Sequence, residues 1–153
     1  MAATAIRSLT IPCPVHLDLS DGQEIDAVLH LPADPLRPGG TASVESVLDG
    51  SKHFIPVGTD AGDALLARGA IRALEMPAAG PGVPDSSDVG GSFDIVTLRL
   101  DSGREISGVL RTFAPLETMR MSDFFNLQDR YIVLGAGDRV FLVSKKHVVL
   151  VSF

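Results

Sequence analysis

The chain has no tryptophan, one tyrosine and one cysteine in 153 residues. The single cysteine, Cys13, excludes an intrachain disulfide, so a stapled scaffold is ruled out and stability has to come from the core. A chain of this length buries roughly 68–70% of its unfolded surface, enough for a core without metal or disulfide. No apolar run approaches the roughly 20 residues of a membrane helix, so no membrane partner is expected. Basic charge is scarce as well. Thirteen Lys and Arg stand against 19 Asp and Glu, for a net charge of −6. Residues 1–76 hold five basic and ten acidic side chains, and residues 77–153 hold eight and nine. Neither half is a basic footprint, so a phosphate backbone would need a segregated patch. Hydrophobic residues at 45% and charged residues at 21% exclude wholesale disorder.

Signatures of catalysis are missing too. The four histidines have no Ser or Cys nucleophile elbow to serve. No His/Cys pair has zinc spacing. The segment Gly135-Ala136-Gly137-Asp138 is too short to cradle a phosphate and precedes a strand. Cys13, between Pro12 and Pro14, is expected in a loop or at a strand edge as a structural thiol. The expectation is a protein that is not an enzyme and needs no cofactor or metal. The opening MAATAIRSLTIPCP has one arginine and no apolar core, so it reads as mature chain in the cytoplasm.

What the chain does have is a repeat of itself. Residues 15–31 and 96–112 are identical at eight of 17 positions. Val15, Leu17, Leu19, Gly22, Glu24, Ile25, Val28 and Leu29 match Val96, Leu98, Leu100, Gly103, Glu105, Ile106, Val109 and Leu110. The segment starting at Val44 lies over the one starting at Met121, and Ala67–Met76 over Ser144–Phe153. Residues 77–92, rich in Pro, Gly and Ser, read as a linker between a unit at 1–76 and a unit at 93–153.

Each unit opens on alternating apolar positions (Val15, Leu17 and Leu19 in the first), the period of a half-buried strand. Ser20-Asp21-Gly22 and Asp101-Ser102-Gly103 supply the turn to a second strand. A short helix follows, capped by Ser43 or Ser122 with Glu45 or Asp123 in its first turn. Three more strands close each unit: Phe54–Val57, Ala64–Ala67 and Ala70–Glu75, then Tyr131–Leu134, Arg139–Ser144 and His147–Phe153. The last is expected to be buried in the sheet or, failing that, to serve as an assembly edge. Phe124, Phe125, Tyr131 and Phe141 are expected in the core.

The string LDSGREISGVLRTF, residues 100–113, resembles the first motif of Sm-like proteins, with Leu100, Gly103, Gly108, Leu110 and Phe113 in its spacing. Val143, Val148 and Val151 fit the frame of the second motif, with Ser144-Lys145 in place of its Arg-Gly. The first copy keeps Leu19 and Gly22 and carries Arg68-Gly69 out of that register. Ala114-Pro115 stands where the family reads RNA bases with an Asp-x-x-Met-Asn segment, and the helix is inserted where the family's helix leads. The resemblance implies a mainly β fold of two tandem five-stranded Sm-like small barrels. Each would carry one short inserted helix, and a pseudo-twofold duplication would relate them.

A duplicated unit without catalytic residues points to a protein–protein interaction module, an adaptor or assembly scaffold with another protein as partner. A homo-oligomer is a further option. The alternative is a divergent Sm-like RNA-binding protein able to form a ring. Its candidate binding residues are Arg68, Lys145, Lys146 and Asn126.

Overall fold

The computed structural model describes residues 10–37, 40–84, 95–111, 125–126 and 130–153. Ten strands follow in order: β1 (Thr10–Leu19), β2 (Glu24–Pro32), β3 (Phe54–Thr59), β4 (Gly62–Ala67), β5 (Ile71–Pro77), β6 (Ile95–Leu100), β7 (Glu105–Arg111), β8 (Tyr131–Ala136), β9 (Arg139–Ser144) and β10 (Val148–Ser152). A helix, α1 (Val44–Leu48), lies between β2 and β3, and 3₁₀ turns at Arg68–Ala70 and Lys145–His147 precede β5 and β10. The strands form one antiparallel sheet in the order β10-β6-β7-β8-β9-β5-β1-β2-β3-β4.

The mainly β expectation holds, but the sheet is open rather than folded into two closed barrels. Closure would need β4 on β5 and β9 on β10. Instead β5 gives its second edge to β9, with Ala73 opposite Val143, Leu74 opposite Leu142 and Met76 opposite Val140. That seam also removes the twofold relation. A twofold sets like strands against like. Here β5, the fifth strand of its half, meets β9, the fourth of the other.

The two halves repeat each other in register. Leu17 faces Leu74 and Leu98 faces Val151, with a register shift at the same place in both pairs. Leu29 faces Val57 as Leu110 faces Leu134. The loop hydrogen bonds repeat too. Ser20 N–H donates to Ala70 O and Asp101 N–H to His147 O. Arg68 N–H donates to His53 O and Lys145 N–H to Arg130 O. Gly22 and Gly103 both hold φ at +88°, which is why the two hairpin turns require glycine. At Gly108 the constraint is a close approach, since an added Cβ would lie 2.8 Å from Gly135 O.

Alternation places the apolar faces as expected, and α1 plugs the first half. Ser43 caps it by accepting from Ser46 N–H, and Val44 and Leu48 are fully buried. The second helix and its cap Ser122 with Asp123, Phe124, Phe113 and Ala114-Pro115 lie outside the described residues, as do residues 85–92 of the linker. Cys13 stands at a strand edge, one of its two expected places, since β5 reaches β1 only from His16 onward. It lies within β1, buried, and its thiol donates to Pro81 O. Prolines 12 and 14 are tolerated there because β5 pairs with β1 only from His16 onward.

Two apolar clusters result. The first joins β1–β5 and α1 to Tyr131, Val133, Val140 and Leu142 from β8 and β9. The second joins β6, β7 and the other faces of β8 and β9 to Ala73 of β5, with Phe125 and Phe141 packed against it. Strand β8 is thus buried on both faces, as an interior strand flanked by two cores should be.

Candidate functional site: a basic seam pocket and two open edges

The seam gathers charge. The pairing of β5 with β9 sets the two 3₁₀ turns side by side. A concavity of about 450 Å³ opens between them, lined by His53, Arg68, Gly69, Arg130, Tyr131, Ser144, Lys145 and Lys146. Three of the four residues singled out from sequence, Arg68, Lys145 and Lys146, therefore meet in one pocket. Asn126 is exposed next to Phe125 and is not among its lining residues. Arg130 was missed, because its position is set by the β8 start and carries no motif. Arg68 Nη1 is buried without a hydrogen-bond partner. An unmade bond on a buried charged donor costs on the order of 1–3 kcal/mol, so an acceptor supplied by an anion would be stabilised there. Tyr131 OH has its pKa pushed up by burial and by Asp49, against the opposing pull of Arg68 and Arg130.

Behind the pocket the seam is held by ion pairs that sequence could not foretell. Asp101 accepts from His147 Nδ1 at 2.7 Å and from Arg72 Nε, and its carboxyl is held below its ordinary value, chiefly by the His147 bond. His147, buried in its turn, also reaches Gly69 O at 3.5 Å. Asp18 is buried, with Arg104 Nη1 at 3.2 Å and Arg72 Nη1 at 3.9 Å. Arg139 Nε donates to Glu75 at 3.1 Å. Among the described residues no group of three or more His, Cys, Asp or Glu is placed to hold a metal ion, and no helix is long and apolar enough to cross a membrane.

The sheet ends are the second feature. Among the described residues, strand β4 pairs only with β3 and β10 only with β6. The last strand was expected first to be buried, yet it is an edge, because β9, its neighbour in sequence, pairs with β5 instead. Leu65 on β4 is 70% exposed, Leu150 on β10 is 48% exposed and Phe153 just beyond it is 81% exposed. Neither strand carries a proline or lysine, and Asp63 is the one charge on either. Natural edges are ordinarily blunted by such residues, so these two are competent to pair.

No family model, no curated protein and no solved structure matches this chain.

Proposed function

We propose that the protein is a cytoplasmic, non-enzymatic interaction module, an assembly scaffold that works by adding strands to its open sheet edges. The carrying observation is the pair of unpaired, apolar and nearly uncharged edges, β4 and β10. Main-chain hydrogen bonds would supply affinity to an added strand, and the exposed Leu65, Val149 and Leu150 would supply specificity. The fold reading that accompanies it is two tandem five-stranded Sm-like units. It is supported by the repeated registers and turn hydrogen bonds. The test is capture on immobilised protein. Partners held by the native chain should be lost with Leu65→Lys or Val149→Lys, and capture of nothing beyond background counts against the reading.

The basic pocket favours a second reading, binding of single-stranded RNA at the seam. It is supported by the convergence of Arg68, Arg130, Lys145 and Lys146 around an unpartnered guanidinium nitrogen. Submicromolar affinity at about 50 mM salt, falling steeply as salt rises and lost in an Arg68→Ala, Lys146→Ala double variant, would support it. No binding at that salt ends it.

A further inference from the structure

Three arginines around the seam are matched to carboxylates: Arg72 meets Asp101, Arg104 meets Asp18 and Arg139 meets Glu75. Arg68 differs. Its Nη1 is buried with no hydrogen-bond partner, and no Asp or Glu is among the residues lining the cavity beside it. Asp49, the one acid whose charge reaches Tyr131, stands outside that lining. The duplication doubles the cations there. Arg68 N–H donates to His53 O as Lys145 N–H donates to Arg130 O, so Lys145 repeats the position of Arg68 and Arg130 that of His53. Lys146 reaches across the seam, with Nζ 3.8 Å from the place a Cβ on Gly69 would take. Four cations around a cavity of about 450 Å³ repel one another, and a bound anion relieves that repulsion along with the unmade guanidinium bond.

We propose that this pocket is a site for one phosphomonoester, the dianion carried by a phosphorylated side chain or a small phosphorylated molecule. The site stands on the pocket alone and is independent of both readings above. Arg68 presents a planar fork of N–H donors, Lys146 adds a compact ammonium, and the exposed Arg130 stands at the rim. Compactness separates this ligand from a nucleic-acid strand. A strand continues past the cavity, onto a chain whose net charge is −6, and needs ring faces on which to stack its bases. Tyr131 lines the pocket but is 6% exposed, which leaves little ring face to offer. A phosphomonoester instead brings about −1.5 to −2 charge and three acceptor oxygens to one point, the demand that donors clustered around one cavity meet.

Tyr131 is the only tyrosine in a chain without tryptophan, so its emission reports on this pocket. The full chain is titrated at about 50 mM salt with inorganic phosphate, with a phosphoserine peptide free of Tyr and Trp, and with that peptide unphosphorylated. The two phosphate ligands should change the emission saturably and raise the thermal midpoint, with a Kd below about 1 mM for at least one of them, and the unphosphorylated peptide should do neither. Arg68→Ala should weaken binding about tenfold or more with an unchanged circular dichroism spectrum, and Arg68→Lys should recover only part, because an ammonium lacks the fork. Arg99→Ala removes the same charge from an exposed position on β6 and should leave the Kd within about twofold. A peptide that binds more tightly than inorganic phosphate places the group on a protein partner, and equal affinities place it on a small molecule; both keep the phosphomonoester site. No response in emission or midpoint up to about 10 mM of either ligand overturns the proposal. Equal losses in Arg68→Ala and Arg99→Ala overturn it too, since the ligand would then be reading net charge. A single-stranded RNA with hydroxyls at both ends that binds more tightly than the phosphoserine peptide also overturns it, in favour of the RNA reading.

Discussion

The internal seam and the open edges are built from corresponding positions. At the seam, Leu142 and Met76 are fully buried; at the edges their counterparts Leu65 and Phe153 stand in solvent. Ala73 is covered and Leu150, its counterpart, is half-exposed. Residue type differs little between the members of each pair, so burial here is decided by whether a neighbouring strand is present. The comparison teaches that an apolar pattern specifies a surface to be covered without specifying by what.

The largest break in that comparison should come at the seam. Leu142→Ala should cost about 3–5 kcal/mol in urea unfolding, because a cavity opens among side chains that cannot collapse into it. Leu65→Ala, measured on dilute protein, should stay within about 0.5 kcal/mol. Equal effects would mean that the edge is already covered. Next is Asp18→Ala, which strips the buried carboxylate from Arg72 and Arg104 and should cost about 2–3 kcal/mol. Arg99→Ala, at the corresponding exposed position of β6, should be nearly neutral.

Gly108→Ala sharpens the contrast between the halves. The first half carries Ala27 there, buried, with its methyl accommodated. In the second half the added Cβ meets Gly135 O, and about 1–2 kcal/mol of destabilisation is expected. The smallest effect is electrostatic. His16 binds Asp26 at 2.8 Å and Glu24 at 3.2 Å, and these bonds, Asp26 first, raise its pKa above 6.5. In the other half Thr97 and Ser107 share a neutral hydrogen bond. A raised histidine favours the folded state when protonated. The stability difference between the native chain and His16→Thr should therefore be fully present below pH 6.5 and vanish as pH rises through the His16 pKa. Thermal midpoints from pH 5 to 8 check it, and a constant difference would refute the assignment.

How much was legible in the sequence follows from what sets each feature. Strand β9 is read at Arg139–Ser144 from alternation between two turns, and the capped helix at Val44–Leu48 from Ser43 and its spacing. Both are local. The duplication was legible because identical residues sit at corresponding positions. The seam was not, since antiparallel pairing between distant edges leaves no period in the sequence. That one pairing decides that β10 is an edge, that the sheet stays open, and that Arg130 and His147 join the seam. Three cations of the pocket were legible, Arg68 through its Arg-Gly pair and Lys145 and Lys146 as the charge in the turn before the last strand. Their convergence came from the β5–β9 pairing. Cys13 was legible as a loop or strand-edge residue from its flanking prolines, and the short reach of β5 along β1 makes it the latter.

The sharing of β8 and β9 between two cores also bears on synthesis. The first cluster cannot be completed until Leu142 has been made, some 65 residues after β5 ends. At about 5–20 residues per second, the nascent first half waits roughly 3–13 s with one apolar wall uncovered. Apolar surface left open in this way is prone to association, so the earliest strands have to be held in readiness for the latest ones.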